Sequence, residues 1–153
     1  MPALARVNEV CDEIVAYLQT NWSGTAPTIE RSYMAAFQVE DFTGPKVFVI
    51  PSAYGQVEIA TRASDIDGYT ISIVFVEKYT AAAETIPTAW IDERVRLVEQ
   101  QIYEPLGDHR DEAITGLWPE TATVNTIFDL DFLHQTRLFI SEVEIELREE
   151  VEG

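Results

Sequence analysis

The final segment of the chain restricts the fold more than any other part of the sequence. Within residues 137–148, acidic and apolar side chains alternate from Glu142 to Leu147. Because successive side chains of a β-strand point to opposite faces of its sheet, this alternation predicts a half-buried strand. The inward side chains are Phe139, Val143, Ile145 and Leu147, and the outward ones are Glu142, Glu144 and Glu146. We therefore predict a long last strand with one apolar face and one acidic face.

Several earlier segments also have strand patterns. Residues 69–78 form the clearest one, because alternate apolar side chains share one face and residues 65–68 supply a turn before it. Residues 46–50 are a short apolar run between two prolines, which is typical of a strand buried on both faces. The remaining predicted strands are residues 28–34, 57–61 and 124–130.

Two segments have helical spacing instead. Apolar residues recur every three or four positions in residues 3–20, and again from Pro87 to a helix end at Gly107. The resulting order, α-β-β-β-α-β-β, predicts an α+β fold in which two main helices pack on one face of a mostly antiparallel sheet. No repeat or flexible linker is visible, so we expect residues 1–153 to form a single domain.

The chain is strongly acidic. Its 153 residues include 27 Asp and Glu against 10 Lys and Arg, which gives a formal net charge of −17. The apolar content of 46% is typical of a folded domain, so the acidity does not indicate disorder. Nucleic-acid affinity depends on basic patches, so this charge argues against tight phosphate binding and against an anionic membrane surface.

Few residues have the spacing of a catalytic or metal-binding motif. Neither a Gly-x-Ser-x-Gly elbow nor a Gly-Lys-Ser/Thr phosphate loop occurs. The single cysteine, Cys11, lies on the apolar face of the first helix and is predicted to be a buried, unreactive thiol. Asp129, Asp131 and His134 form the best metal-like cluster, so a small metal- or ligand-binding enzyme domain is one alternative. We otherwise expect neither catalysis nor a cofactor.

Five segments carry a resemblance to a known class of proteins. After the first helix come residues 28–33 and the strand that ends with residues 47–51, then residues 59–65 before the strand at 69–74, and residues 133–139 at the last strand. The chain resembles small proteins encoded among the head–tail joining and tail genes of tailed phages and prophages. It is similar in size and element order to tail terminator proteins, which form a ring that closes the tail tube under the head.

The resemblance implies a structural protein without catalytic residues, in a ring-shaped homo-oligomer that is commonly a hexamer. Such a ring contacts the tail tube protein on one side and a neck, head-completion or connector protein on the other. Another neck or tail component, such as a head-completion or tail-tube-like protein, is the alternative within this class. Either role implies a protein made in the host cytoplasm and located in the virion, at the tail or neck, with no sequence-specific nucleic-acid binding and no membrane partner.

Candidate interface residues follow from the ring. Ring closure needs two different patches that meet head to tail, and aromatic side chains in predicted loops suit such a contact. Residues 51–67 form a long connection that could project as an arm onto a neighbour. Glu142, Glu144 and Glu146 are the candidate lining of an acidic channel through which DNA slides. The candidate interface residues are Phe42, Tyr54, Trp118, Phe132, Arg31, Arg62 and Arg137.

Overall fold

A computed structural model of the chain describes residues 5–33, 44–59, 64–82, 84–107 and 116–152. In chain order the elements are α1 (Arg6–Asn21), β1 (Thr28–Arg31), β2 (Lys46–Ile59), β3 (Ser64–Lys78), α2 (Thr88–Val98), a π-helical segment (Glu99–Tyr103), α3 (Glu104–Gly107), β4 (Trp118–Thr126), α4 (Leu130–Thr136) and β5 (Leu138–Glu152). The π-helical segment joins α2 directly to α3, so these three elements form one continuous helical stretch. No helix within the described ranges is long and apolar enough to span a membrane.

The strands form a five-stranded sheet in the order β1-β2-β3-β5-β4. Its longest pairing joins β3 and β5, which run antiparallel from Ser64 opposite Glu152 to Lys78 opposite Leu138. The pairs β2–β3 and β4–β5 are also antiparallel, whereas the short β1 is parallel to β2. The predicted α+β fold with a mostly antiparallel sheet is confirmed.

The two main helices pack on one face of this sheet and enclose the larger core. Along α1, apolar side chains recur every three or four residues, so Val10 and Ile14 face the sheet and are buried. The helical stretch from α2 to α3 contributes Ile102 and Leu106 to the same core. Phe139 of β5 lies at the centre of the aromatic contacts in this layer, packed against rings from the sheet and from the helices.

The opposite face of the sheet carries two different surfaces. At one end, Phe48, Val74, Val76 and Leu138 form a second, smaller cluster of buried apolar side chains. Further along β5 the outward side chains are glutamates. Buried inward residues from Ser141 onward alternate with these half-buried outward ones, which confirms the pattern predicted for the last strand. β5 extends further than residue 148 because β3 remains paired with it to Glu152.

The structure corrects the strand boundaries before β3. A single strand, β2, runs through the whole of residues 46–59, where we predicted separate strands at 46–50 and 57–61. The proline at position 51 is accommodated because the register with β3 shifts between Pro51 and Ala53. Long-range pairing with β3 therefore continues the strand through Pro51, although the local sequence predicts that the strand ends there. β1 is shorter than predicted and ends at Arg31.

The predicted turn at residues 65–68 is also wrong, because these residues belong to β3. Ile59 lies opposite Asp65 in the β2–β3 ladder, and this pairing outweighs the local turn preference of Asp and Gly. The arm predicted at residues 51–67 therefore coincides with the outer part of the β2–β3 hairpin. Residues 60–63, which connect the two strands, lie outside the described residues, and contact of this hairpin with a neighbour stays a prediction.

The strand predicted at residues 124–130 is misplaced. β4 begins at Trp118, which lies opposite Arg148 of β5. Residues 130–136 form α4 instead, because Asp129 caps the helix by accepting a hydrogen bond from the backbone N–H of Phe132 at 3.0 Å. The buried side chain of Leu133 then fixes this short helix on the core.

Candidate channel and assembly surfaces

Glu142, Glu144 and Glu146 lie in a row on the face of β5 that points away from the two main helices. Alternate residues of a strand are about 6.5–7 Å apart, so the three carboxylates follow one line along the sheet. Their cross-strand partners are Val74, Ser72 and Thr70 on β3 and Thr126, Thr123 and Thr121 on β4. These partners are uncharged. We call the three glutamates the acidic row.

Two side chains hold the acidic row in place. Asn125 Nδ2 donates to a carboxylate oxygen of Glu142 at 3.1 Å and to one of Glu144 at 3.3 Å. Arg148 forms an ion pair with Glu146 at 3.4 Å. Within the described part of the chain, Glu142 and Glu144 form no ion pair, so a neutral amide orders them without cancelling their charge. That the row lines a channel stays a prediction.

The predicted interface aromatics that the structure describes lie on strands and helices, which corrects their assignment to loops. Tyr54 is on β2, with its side chain 71% exposed. Trp118 begins β4 and is half-buried, because the strand starts earlier than its local pattern indicates. Phe132 lies on α4 and is partly exposed. Phe42 lies outside the described residues.

Two of the three predicted interface arginines make contacts within the chain. Arg31 Nε donates to Asp12 Oδ1 at 2.9 Å. Arg137 ends α4 with a left-handed backbone (φ 61°), and its Nη2 donates to the carbonyl oxygen of Ala81 at 3.0 Å. These contacts orient both side chains inside the subunit, while their role between subunits stays a prediction. Arg62 lies outside the described residues.

The sequence pattern did not single out three exposed apolar side chains. Tyr33 and Ile127 are 69% and 53% exposed, and Tyr103 is partly exposed. Together with Tyr54 and Phe132, they are the large hydrophobic side chains exposed within the described ranges. Exposure of a single aromatic or aliphatic residue depends on which elements pack around it, so no local signal in the sequence marks it.

One depression in the surface lies beside α1 and has a volume of about 420 Å³. Its lining consists of uncharged residues, namely Val7, Asn8, Tyr33, Pro51, Ser52, Ala53 and Tyr54. Asn8 Nδ2 donates to the Tyr33 hydroxyl at 2.8 Å, while Asn8 Oδ1 is buried and has no hydrogen-bond partner in the part of the chain that the structure describes. We call this depression the tyrosine pocket.

A second depression, of about 370 Å³, lies between the π-helical segment and β4. Apolar side chains form most of its wall, including Val95, Val124 and Ile127, while Tyr103 and Glu99 of the π-helical segment supply polar atoms. Single π-helical turns within longer helices occur frequently at functional sites, because they change which side chains the helix presents. We call this depression the β4 groove.

An ion pair joins α1 to the end of β5 next to the tyrosine pocket. Arg6 Nε donates to Glu149 Oε1 at 3.0 Å, and Nη2 donates to the second carboxylate oxygen. Hydrogen bonding to Arg6 holds the pKa of Glu149 below its usual range. The Tyr69 hydroxyl donates to the same carboxylate at 3.2 Å. Burial of Tyr69 and the nearby negative charge raise the pKa of its hydroxyl to about 12.

The alternative site for a metal or ligand does not form in the described residues. Asp129 uses its carboxylate as the helix cap, and Asp131 and His134 are exposed on α4. Across the described ranges, no group of three or more His, Cys, Asp or Glu side chains is arranged to hold a metal ion. Cys11 is buried as predicted, and burial raises the pKa of its thiol to about 12, so little reactive thiolate forms near neutral pH.

Comparison with known proteins gives a structural similarity alone. No protein-family model and no curated protein matches the chain. Among solved structures, the chain is similar to one described as the sheath/tube terminator of PVC, an extracellular contractile injection system, solved by cryo-EM in its extended state. That similarity has a TM-score of 0.45 at 9% identity and covers 100% of this chain and 59% of the other. A score in this range does not by itself assign a function.

Proposed function

We propose that this protein is a tail terminator, a structural subunit that assembles into a ring, closes the tail tube of a phage-like particle and joins it to the neck. The observation that carries the proposal is the acidic row, Glu142, Glu144 and Glu146. It lies on the sheet face that the two main helices leave uncovered. A ring whose subunits turn this face inward has a negatively charged channel.

The charge of such a channel suits the passage of DNA. Duplex DNA carries about one negative charge per 1.7 Å of its axis, and proteins that hold it do so with Lys and Arg. Carboxylates spaced along each subunit repel phosphate instead, and a closed channel with low-dielectric walls strengthens that field. Asn125 orders two of the carboxylates without neutralising them, which keeps the surface both fixed in shape and negative.

The proposed ring has protein partners on its two rims. The tail tube protein meets one rim, and a neck, head-completion or connector protein meets the other. The subunit is synthesised in the host cytoplasm and ends in the virion at the tail or neck. In this role the protein acts by shape and charge rather than by catalysis.

Assembly and partner binding test the proposal together. We expect multi-angle light scattering after size exclusion, at tens of micromolar protein, to give a multiple of the 17.3 kDa chain mass. Negative-stain images of that fraction should show annuli. Purified tail tubes from the same genome should acquire one additional ring at one end when the protein is added. A monomer that neither forms annuli nor binds tube ends would contradict the proposal.

A further inference from the structure

We propose that the tyrosine pocket of one copy packs against the β4 groove of the next copy, and that this contact closes the ring head to tail. The inference rests on the proposed ring and names the two surfaces that form it. The partner that occupies each surface is therefore a second copy of this chain.

The two surfaces lie on opposite flanks of the subunit. The tyrosine pocket is formed by α1 and β2, next to the edge strand β1, and the groove is formed by the π-helical segment and β4, the other edge strand. A ring that closes by rotation joins two different patches of each subunit, whereas a two-fold dimer joins one patch to itself. Patches at opposite sheet edges are therefore placed as a ring requires.

Exposed hydrophobic side chains concentrate at these two surfaces. Tyr33 and Tyr54 line the pocket, and Tyr103 and Ile127 line the groove. The fifth exposed side chain, Phe132, is on α4, which begins three residues after Ile127. Tyrosine is enriched in protein interfaces because it combines a large apolar area with a hydroxyl that forms hydrogen bonds. Each flank thus has aromatic residues suited to anchor a contact.

Charge favours joining the pocket to the groove over joining like surfaces. The pocket has an uncharged lining with the hydroxyls of Tyr33 and Tyr54, whereas the groove contains the carboxylate of Glu99. A groove-to-groove contact brings two Glu99 carboxylates together in an apolar site, which is unfavourable. In the pocket-to-groove contact, tyrosine hydroxyls donate to that carboxylate. Arg31 lies 5.9 Å from the Tyr33 ring, and its charge is paired with that of Asp12.

Two single variants test the pairing. Tyr54→Asp places a carboxylate opposite Glu99, and Ile127→Asp places one in the apolar wall of the groove. Each variant blocks one of the two surfaces and leaves the other intact. Because the contact needs both surfaces, each variant alone should be monomeric. The contact should be weakened by about 30-fold or more, as for the loss of an interface anchor. Mixed in equal amounts, they should form a dimer of twice the 17.3 kDa chain mass and stop there. The dimer cannot grow because both of its free surfaces are the blocked ones.

Matched controls separate this contact from general effects of added charge. Tyr54→Lys changes the same position but attracts Glu99, so it should weaken assembly less than Tyr54→Asp does. Ala89→Asp adds a carboxylate at an exposed position of α2 outside both surfaces and should assemble like the wild type. Circular dichroism and thermal melting establish that each variant is folded. Tyr33→Asp and Tyr103→Ser are second variants of the pocket and of the groove for a variant that fails to fold.

The outcomes distinguish this contact from the proposed function. If the wild type forms annuli and Tyr54→Asp still does, the contact is wrong while the ring is retained. The same holds if the mixture of the two variants stays monomeric, or if Ile127→Asp dimerises alone, which indicates pocket-to-pocket pairing. A wild type that is monomeric at 100 μM and does not bind tube ends would overturn both.

Discussion

Arg6 on α1 and Glu149 on β5 form a two-point ion pair across 143 positions of sequence. The pair fastens the first turn of α1 to the end of the longest ladder in the sheet, close to the tyrosine pocket. Tyr69 donates to the same carboxylate from β3, so three elements meet at one group. Substitution of a residue in this junction tests the stability of the folded subunit independently of its assembly.

We expect Glu149→Gln to destabilise the monomer at pH 7 by about 1–2 kcal/mol. The value is modest because Arg6 is 34% exposed and water screens part of the attraction. The folded-state pKa of Glu149 is lowered, so its stabilisation is present above the unfolded value of about 4.3 and is lost as the pH falls from that value through the lowered folded-state pKa. Urea unfolding should therefore show a difference in unfolding free energy between the wild type and Glu149→Gln that is smaller at pH 3 than at pH 7. Glu30→Gln, at an exposed position, is the control, and an equal loss there would contradict the prediction.

Gly107, the last residue of α3, packs closely against β4. A Cβ atom at this position would lie 2.8 Å from Ala122 Cβ, so Gly107→Ala must shift the helix end or the strand. We expect a net loss of about 1–2 kcal/mol, because overpacking exceeds the helical preference of alanine. Gly55→Ala has no atom within 4 Å of the added methyl group and is the matched control. A midpoint of urea unfolding for Gly107→Ala at or above that of the wild type would rule out this close packing.

Asp129 is expected to stabilise α4 as a cap rather than to bind a metal. Asp129→Ala should cost about 0.5–2 kcal/mol of unfolding free energy, whereas Asp129→Asn should retain most of the stability because asparagine also caps helices. Thermal melting compares the three proteins. Elemental analysis after purification, and melting with and without added Zn²⁺, test the metal alternative. A stoichiometric metal, lost in both variants, would restore that alternative.

Reversing the charge of the acidic row should convert the protein into a DNA binder. The triple variant Glu142→Lys, Glu144→Lys, Glu146→Lys should bind a short linear duplex at least about ten-fold more tightly than a control with the same net charge, because a ring concentrates the new cations in its channel. The control carries the same change at three exposed positions, Glu9, Glu30 and Glu84. Fluorescence anisotropy at low and moderate salt measures both affinities. Equal binding by the two triple variants would show that the row does not line a channel.

Local patterns were sufficient to predict much of the secondary structure. The spacing of Val10, Ile14 and their neighbours predicted α1, and alternation predicted the inward and outward sets of β5, because a side chain's face depends on the period of its own element. The same patterns failed where long-range pairing decides. β2 continues through Pro51 and β4 begins at Trp118 because each has a neighbouring strand to pair with.

The candidate surfaces divide in the same way. The sequence alone determined the acidic row, because Glu142, Glu144 and Glu146 share a face in any strand, and it determined the absence of a strong catalytic motif. Only the tertiary structure decided that the row lies opposite the two main helices and that Tyr33 and Tyr54 share a pocket. It also placed Tyr103 and Ile127 in one groove on the other flank. These relationships join residues far apart in the chain, and the strand order β1-β2-β3-β5-β4 that brings them together results from the packing of the whole sheet.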